Sequence, residues 1–82
     1  MTAIRVMLGI PKKAQLILTS TEFEDLRETD GGDDDYIWNG ESLVKRAKFK
    51  FYTFTAHVVM KEQLLKRLKQ AYPRFVYVQI TE

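Results

Sequence analysis

Hydrophobic and polar positions along the chain predict strands at both ends and in the middle, with one long helix before the last strand. Residues 3–10 are apolar apart from one arginine, and residues 48–59 are rich in the β-branched and aromatic side chains that favour strands. Residues 60–72 repeat apolar side chains at helical spacing, and Pro73 ends the helix. Residues 74–80 then predict a closing strand.

The stretch after the first strand supports two interpretations. In the first, residues 14–19 form a second strand and residues 22–28 form a short helix, whose start is marked by Thr21 and Glu24 at capping-box spacing. In the second, residues 12–28 form one helix. Both stay open, because so short an apolar run fits either a strand or a helix.

Residues 36–44 carry the clearest local signal for a hairpin. Asn39 and Gly40 stand between apolar residues, and this pair tolerates the positive φ angles of a type I′ turn. A short helix over residues 41–47 is the alternative.

The long middle strand changes phase along its length. Phe49 and Phe51 share one parity, whereas Phe54 and Ala56 share the other with Tyr52. A bulge near Phe51 and Tyr52 would restore a single buried face. Without a bulge, the strand is apolar on both faces.

The order of these elements predicts an α+β fold. We expect a single small domain over residues 1–82, with an antiparallel-rich sheet of four to five strands, one long helix in the C-terminal half and one short helix. The last four elements match the second half of a ferredoxin-like βαββαβ layout. A helix over residues 12–28 would complete that layout.

Composition narrows the class of protein. Of the 82 residues, 45% are hydrophobic and 29% are charged, which is typical of a globular domain and not of a disordered chain. The absence of cysteine excludes disulfides and cysteine-ligated metals, and a reducing, cytoplasmic location is expected. No apolar run approaches the length of a membrane span. Arg5 interrupts the N-terminal residues, so no signal peptide is expected.

The net charge of +2 conceals two oppositely charged segments. Residues 21–35 contain eight acids and one base, a local charge of −7. Residues 45–74 contain nine bases and one acid, a local charge of +8. Such a division predicts a dipolar surface unless the fold brings the two segments together.

The basic segment interleaves cations with aromatic residues over 45–54 and predicts a nucleic-acid-binding module. Single-stranded nucleic acid or RNA is the favoured partner, because cations track phosphates while exposed rings stack under bases. RNA-recognition motifs have a glycine and a small residue where Lys48 and Lys50 stand, so the chain is not assigned to that family. The candidate contacts are Lys45, Arg46, Lys48, Lys50, Lys61, Lys66, Arg67, Lys69 and Arg74.

A protein-interaction module is the alternative. Trp38, beside the predicted turn, is a candidate hot spot, and Asp33, Asp34 and Asp35 offer an acidic surface to a basic partner. Such a module would be an adaptor, or an inhibitor of the kind that mobile elements and phages encode. Strong strands in so small a chain also predict a homodimer paired at a sheet edge.

No motif predicts an enzyme. His57 is the only histidine, and acid/base catalysis would need an orienting group and a nucleophile that the sequence does not supply. Asp30, Asp34 and Glu41 take positions 1, 5 and 12 of a calcium-loop pattern, but Asp35 stands where that pattern requires glycine. We therefore predict a non-enzymatic chain without a cofactor or a metal site.

Overall fold

A four-stranded antiparallel sheet, a separate two-stranded sheet and one helix are present in the computed structural model, which describes residues 2–73 and 76–82. The elements are β1 (Ala3–Pro11), β2 (Glu24–Thr29), β3 (Tyr36–Trp38), β4 (Leu43–Lys45), β5 (Phe49–His57), α1 (Lys61–Ala71) and β6 (Tyr77–Thr81). The predicted α+β class is confirmed. The strand predicted over 74–80 corresponds to β6, and Arg74 and Phe75 lie outside the described residues.

The strand order β2-β5-β1-β6 consists of two interleaved units. β1 and β2 are both antiparallel to β5, so they run parallel to each other with β5 between them. β5 and β6 are likewise parallel with β1 between them, and α1 connects them. The second unit is the split βαβ of a ferredoxin-like layout, and the first has the same strand arrangement with a non-helical connection.

Register places alternate residues of β1 and β5 on one face of the sheet, called here the helix face because α1 covers it. Ile4 lies opposite Ala56, and Val6 lies opposite Phe54. The buried core on this face is a single cluster. It contains Ile4, Val6, Leu8, Ile10, Leu18, Phe23, Phe54, Ala56, Leu64, Leu68 and Tyr72.

The connection between β1 and β2 is irregular, so both the strand predicted over 14–19 and the helix predicted over 12–28 are wrong. This segment packs on the helix face with Leu18 buried in the core. The Tyr72 hydroxyl donates to the Gln15 carbonyl and accepts from the Ile17 amide at 3.1 Å. The end of α1 thus supplies the polar partners that a helix or a sheet would otherwise have provided.

The short helix predicted over 22–28 is also wrong, because residues 24–29 form the edge strand β2. A two-turn helix has little stability of its own, whereas the free edge of β5 offers backbone partners. Arg27 lies opposite Thr53 in that ladder. A bulge between Glu24 and Arg27, with Asp25 at φ 57°, bends the strand so that Leu26 packs against the core.

β5 pairs with β1 without interruption, so no bulge occurs at the predicted phase change. The strand is instead apolar on both faces: Phe54 and Ala56 lie on the helix face, and Phe49 and Phe51 lie on the opposite one. The opposite side is called here the open face. This outcome is the second of the two that the sequence allows.

On the open face, a loop covers only part of the sheet. The Phe51 ring is 2% exposed and lies between two glycines. A Cβ atom at Gly9 would lie 2.8 Å from that ring, and one at Gly31, where φ is 77°, would lie 2.5 Å from it. Both positions therefore need glycine, and the 29–35 loop seals this part of the face.

Candidate functional site

The β3–β4 hairpin stands apart from the main sheet. Its turn keeps Asn39 at ordinary φ, so the predicted type I′ geometry is wrong, although the predicted hairpin is present. The Asn39 side chain instead accepts from the amides of Glu41 and Ser42, both at 2.9 Å. Gly40, at φ 100°, takes the first central position of the turn.

One face of this hairpin exposes large apolar side chains. Trp38 lies opposite Leu43, and Tyr36 lies opposite Lys45, so the four side chains share a face. Trp38 is 59% exposed, Leu43 is 67% exposed and Tyr36 is 53% exposed. Apolar side chains grouped in this way are typical of interaction sites.

Next to this hairpin face lies a groove of about 620 Å³, which we call the lysine groove. On the open face, β5 and β1 contribute Phe49 and its cross-strand partner Pro11 to the lining of the groove. The hairpin brings Tyr36, Leu43 and Val44 to it. The remaining lining residues are four lysines: Lys12, Lys13, Lys45 and Lys48.

Two backbone segments position these lysines. The turn after β1 carries Lys12 and Lys13, and the Lys12 amide donates to the Lys48 carbonyl at 3.2 Å. Lys45 ends β4, and Lys48 ends the 3₁₀ turn that follows. The hydrogen bond therefore joins two cationic segments that are distant in sequence.

The lysine groove carries four positive charges. Within residues 2–73 and 76–82, none of its four lysines forms an ion pair. The ion pairs in that part of the chain join Arg5 to Asp25 and Arg67 to Glu22. Because the groove is otherwise lined by apolar side chains, a ligand must combine an apolar group with negative charge to match it.

The predicted acidic surface lies directly before the hairpin. Asp33, Asp34 and Asp35 are exposed, and Tyr36 of the groove follows them. Arg46 fixes the backbone of this loop: its Nε donates to the Asp34 carbonyl at 2.6 Å and its Nη1 to the Asp30 carbonyl at 2.9 Å. Arg46, predicted as a phosphate contact, therefore has a structural role in positioning the acidic loop.

The predicted cations of α1 are on the other side of the sheet from the groove. Lys66 and Lys69 are exposed, and Lys61 is half-buried. Arg67 makes two hydrogen bonds to the Glu22 carboxylate, at 2.8 and 3.1 Å, and these lower the pKa of Glu22.

Lys50 is half-buried and lies opposite Ile10, so it also belongs to the helix face. Arg74 lies outside the described residues. Thus, of the eight predicted phosphate contacts that the structure describes, Lys45 and Lys48 line the groove.

Most of the aromatic residues predicted to stack under bases have buried rings. Phe49, Phe51 and Phe54 are at most 5% exposed. Tyr52 is half-buried on the helix face, and burial raises the pKa of its hydroxyl, with a further contribution from Glu28 across the strand pair. Among the described residues, the exposed aromatic rings are instead those of Tyr36, which lines the groove with the lysines, and Trp38, both on the hairpin.

Most residues of the lysine groove are not predicted from the sequence as contacts. Pro11, Lys12 and Lys13 are not among the predicted contacts, and Leu43 belongs only to the predicted hairpin over residues 36–44. The Pro-Lys-Lys run was the available signal, but its closeness to Lys48 depends on long-range pairing of β1 with β5.

His57 caps the 3₁₀ turn at Val58–Met60, where its Nδ1 accepts from the Val59 amide at 3.2 Å.

Comparison with protein families, curated proteins and solved structures finds no match to this chain. Among the residues that the structure describes, no group of three or more histidine, aspartate or glutamate side chains is arranged to hold a metal ion. In the same part of the chain, no helix has the length and apolar character that crossing a membrane requires.

Proposed function

We propose that this chain is a non-enzymatic protein-binding module that docks its partner on the β3–β4 hairpin and the lysine groove. The observation that carries the proposal is the exposure of Tyr36, Trp38 and Leu43 on one face of the hairpin, beside the groove. Tyrosine and tryptophan are enriched among residues that dominate binding free energy. The cysteine-free composition suits a cytoplasmic setting.

The energetics of the hairpin favour a role in binding. A two-stranded sheet is marginal on its own, and this one has only three residues in each strand. Trp38 and Leu43 contribute little to the core while exposed, but a partner that buries them gains about 25 cal/mol for each Å² of apolar surface removed from water.

The acidic loop helps to determine the orientation in which a partner docks on this surface. Asp33, Asp34 and Asp35 adjoin one part of the hairpin, and Lys45 and Lys48 line the groove at another. Opposite charges close together guide the encounter with a partner and disfavour the wrong docking orientation. In the interaction hypothesis drawn from the sequence, these acidic residues offer their charge to a basic part of the partner.

A paired capture experiment tests the proposal. Lysate proteins from the source organism are captured on the wild-type chain, on a Trp38→Ala/Leu43→Ala double variant and on Val59→Ala. Val59 is 75% exposed and lies outside the hairpin, so its variant is the matched control. We expect a partner retained by the wild type and the control and lost by the double variant. Equal capture by all three baits would refute the proposal.

Nucleic-acid binding is the second candidate function. The observation in its favour is that Tyr36 exposes its ring among the groove lysines and Trp38 exposes its ring on the same hairpin face, since exposed rings beside cations bind single strands. The burial of Phe49 and Phe51 weighs against it. Fluorescence anisotropy with oligothymidylate would show steeply salt-dependent binding lost in Lys45→Glu/Lys48→Glu if this function holds. No binding at low salt would exclude it.

We also propose that two copies pair through β6. The outer edge of the sheet at β2 carries four charged residues and a bulge, features that block edge pairing. The edge at β6 has the sequence YVQIT, which contains no charge. Light scattering should detect a dimer that Gln79→Lys disrupts and the matched helix variant Gln70→Lys does not. A wild-type monomer at high concentration would contradict dimerisation.

A further inference from the structure

We infer that the lysine groove binds an acidic, extended segment of a partner protein that inserts a bulky apolar side chain between Phe49 and the hairpin. This inference rests on the proposed function, because it specifies the chemistry of the partner for the same surface. It adds a site that the exposed hairpin residues alone do not define.

Charge complementarity indicates that the partner segment is negatively charged. Four lysines line one groove, and none of them is in an ion pair with another described residue. Four like charges around one small site repel one another, so the free chain gains from a ligand that brings negative charge. A basic or neutral segment would leave this repulsion in place.

The apolar lining of the groove favours a partner segment that inserts a bulky apolar side chain. Phe49 is 5% exposed and packs at 6.2 Å, between ring centroids, from the sealed Phe51 ring. Pro11, Val44 and Leu43 add aliphatic surface to the groove. A leucine, phenylalanine or similar side chain in this space is removed from water, while carboxylates beside it reach the lysines.

The extent of the surface selects a polypeptide over a small molecule. The groove volume of about 620 Å³ would itself suit a small ligand. However, the exposed apolar surface continues beyond the groove to Trp38, which does not line it. Within the described residues, β3 and β4 pair only with each other, so each strand leaves one edge free for an extended segment.

A display selection tests the inference without a known partner. The probe is a library of random peptides selected on the full chain and sequenced. Binding of the enriched peptides is then measured on the wild type, on Lys45→Glu/Lys48→Glu and on Lys66→Glu/Lys69→Glu. The last pair makes the same change of charge on exposed residues of α1, on the other side of the sheet.

We expect enriched peptides with an excess of aspartate and glutamate around at least one bulky apolar residue. Their affinity should fall at least about tenfold in the groove variant and stay within about twofold in the α1 variant. Enrichment without acidic bias, or equal loss in both variants, would overturn the inference. Displacement of every enriched peptide by oligothymidylate at physiological salt would also overturn it in favour of a nucleic-acid site.

The same peptides separate this inference from the proposed function. Peptides that lack acidic bias but lose affinity in Trp38→Ala/Leu43→Ala would leave the hairpin as a docking site and refute the acidic partner. Enriched peptides that bind all variants equally would refute both. Acidic peptides that need both the lysines and the hairpin residues support both.

Discussion

The two faces of the main sheet are built from the same strands and differ in how completely they are covered. On the helix face, Ile4, Val6 and Phe54 are fully buried beneath α1. On the open face, Phe51 is sealed by glycines of a strand and a loop, whereas Phe49, two residues earlier in β5, lines an open groove. The proposed binding site therefore lies where the covering of the open face ends.

This difference follows from the composition of each face. Apart from Lys50 at one end, the residues on the helix face of β1 and β5 are apolar or aromatic, and they favour a continuous core. The other side mixes apolar residues with Arg5, Thr53 and Thr55, so no helix is needed to cover all of it. Substitutions should consequently affect stability on the helix face and in the sealed part of the open face, and should affect binding at the lysine groove.

The largest expected effect is the loss of a core ring on the helix face. Phe54→Ala should lower the free energy of unfolding by about 3 to 5 kcal/mol, because it opens a cavity where the side chain is 0% exposed. Urea denaturation measures this loss. Tyr36→Ala, on the exposed hairpin, is the comparison and should change stability by at most about 0.5 kcal/mol. Similar losses in both variants would remove the distinction between the faces.

The sealed part of the open face should be sensitive to a single methyl group. We expect Gly31→Ala to destabilise the fold by about 2 to 3 kcal/mol, because left-handed strain adds to a collision with Phe51. Gly32→Ala is the matched control, since Gly32 has φ 102° but no atom near its Cβ position. Its cost should be about 1 kcal/mol. Thermal unfolding of the two variants measures the cost of the collision with the Phe51 ring as the difference between their stabilities. Equal losses of stability would show that the loop does not seal Phe51.

The irregular connection on the helix face should depend on the Tyr72 hydroxyl. Tyr72→Phe removes the hydrogen bonds to Gln15 and Ile17 and should cost about 1 to 2 kcal/mol. Amide exchange at Ile17 should accelerate more than exchange in β1. Unchanged exchange at Ile17 would mean that packing alone holds the segment.

The smallest effect concerns acid stability. Hydrogen bonds from Arg67 lower the pKa of Glu22 in the folded chain below its unfolded value. This stabilisation is present above the unfolded pKa and is lost as the pH falls through the folded pKa. Because the pair is exposed, the loss is small. Chemical denaturation at neutral and acidic pH should give a shallower pH dependence for Arg67→Gln and for Glu22→Gln. A slope unchanged in both would contradict the pairing.

The sequence was sufficient to predict the elements that carry strong local patterns. The apolar stripe that includes Leu64 and Leu68 predicts α1, and the aromatic and β-branched residues from Phe49 to His57 predict β5. β2 could not be predicted in the same way, because its charged residues have no strand pattern. β2 forms because it pairs with the edge of β5, and this pairing depends on the tertiary structure.

The site was predictable only in part. Trp38 and the Asn39-Gly40 turn mark the hairpin locally, and their prominence in the sequence is matched by exposure in the structure. The grouping of Lys12 with Lys48 arises from pairing between residues far apart in the chain. The sequence also cannot distinguish Arg46, which holds a loop backbone, from neighbouring lysines that face the groove.

The most direct test of the account is an amide chemical-shift titration of the isotopically labelled chain with an acidic peptide from the display selection. The account predicts shifts at Lys12, Lys13, Leu43, Lys48 and Phe49 at the groove, with Lys61–Ala71 of α1 unchanged. Shifts concentrated on α1, or none at a saturating concentration of peptide, would contradict the claim that the open face is the binding face.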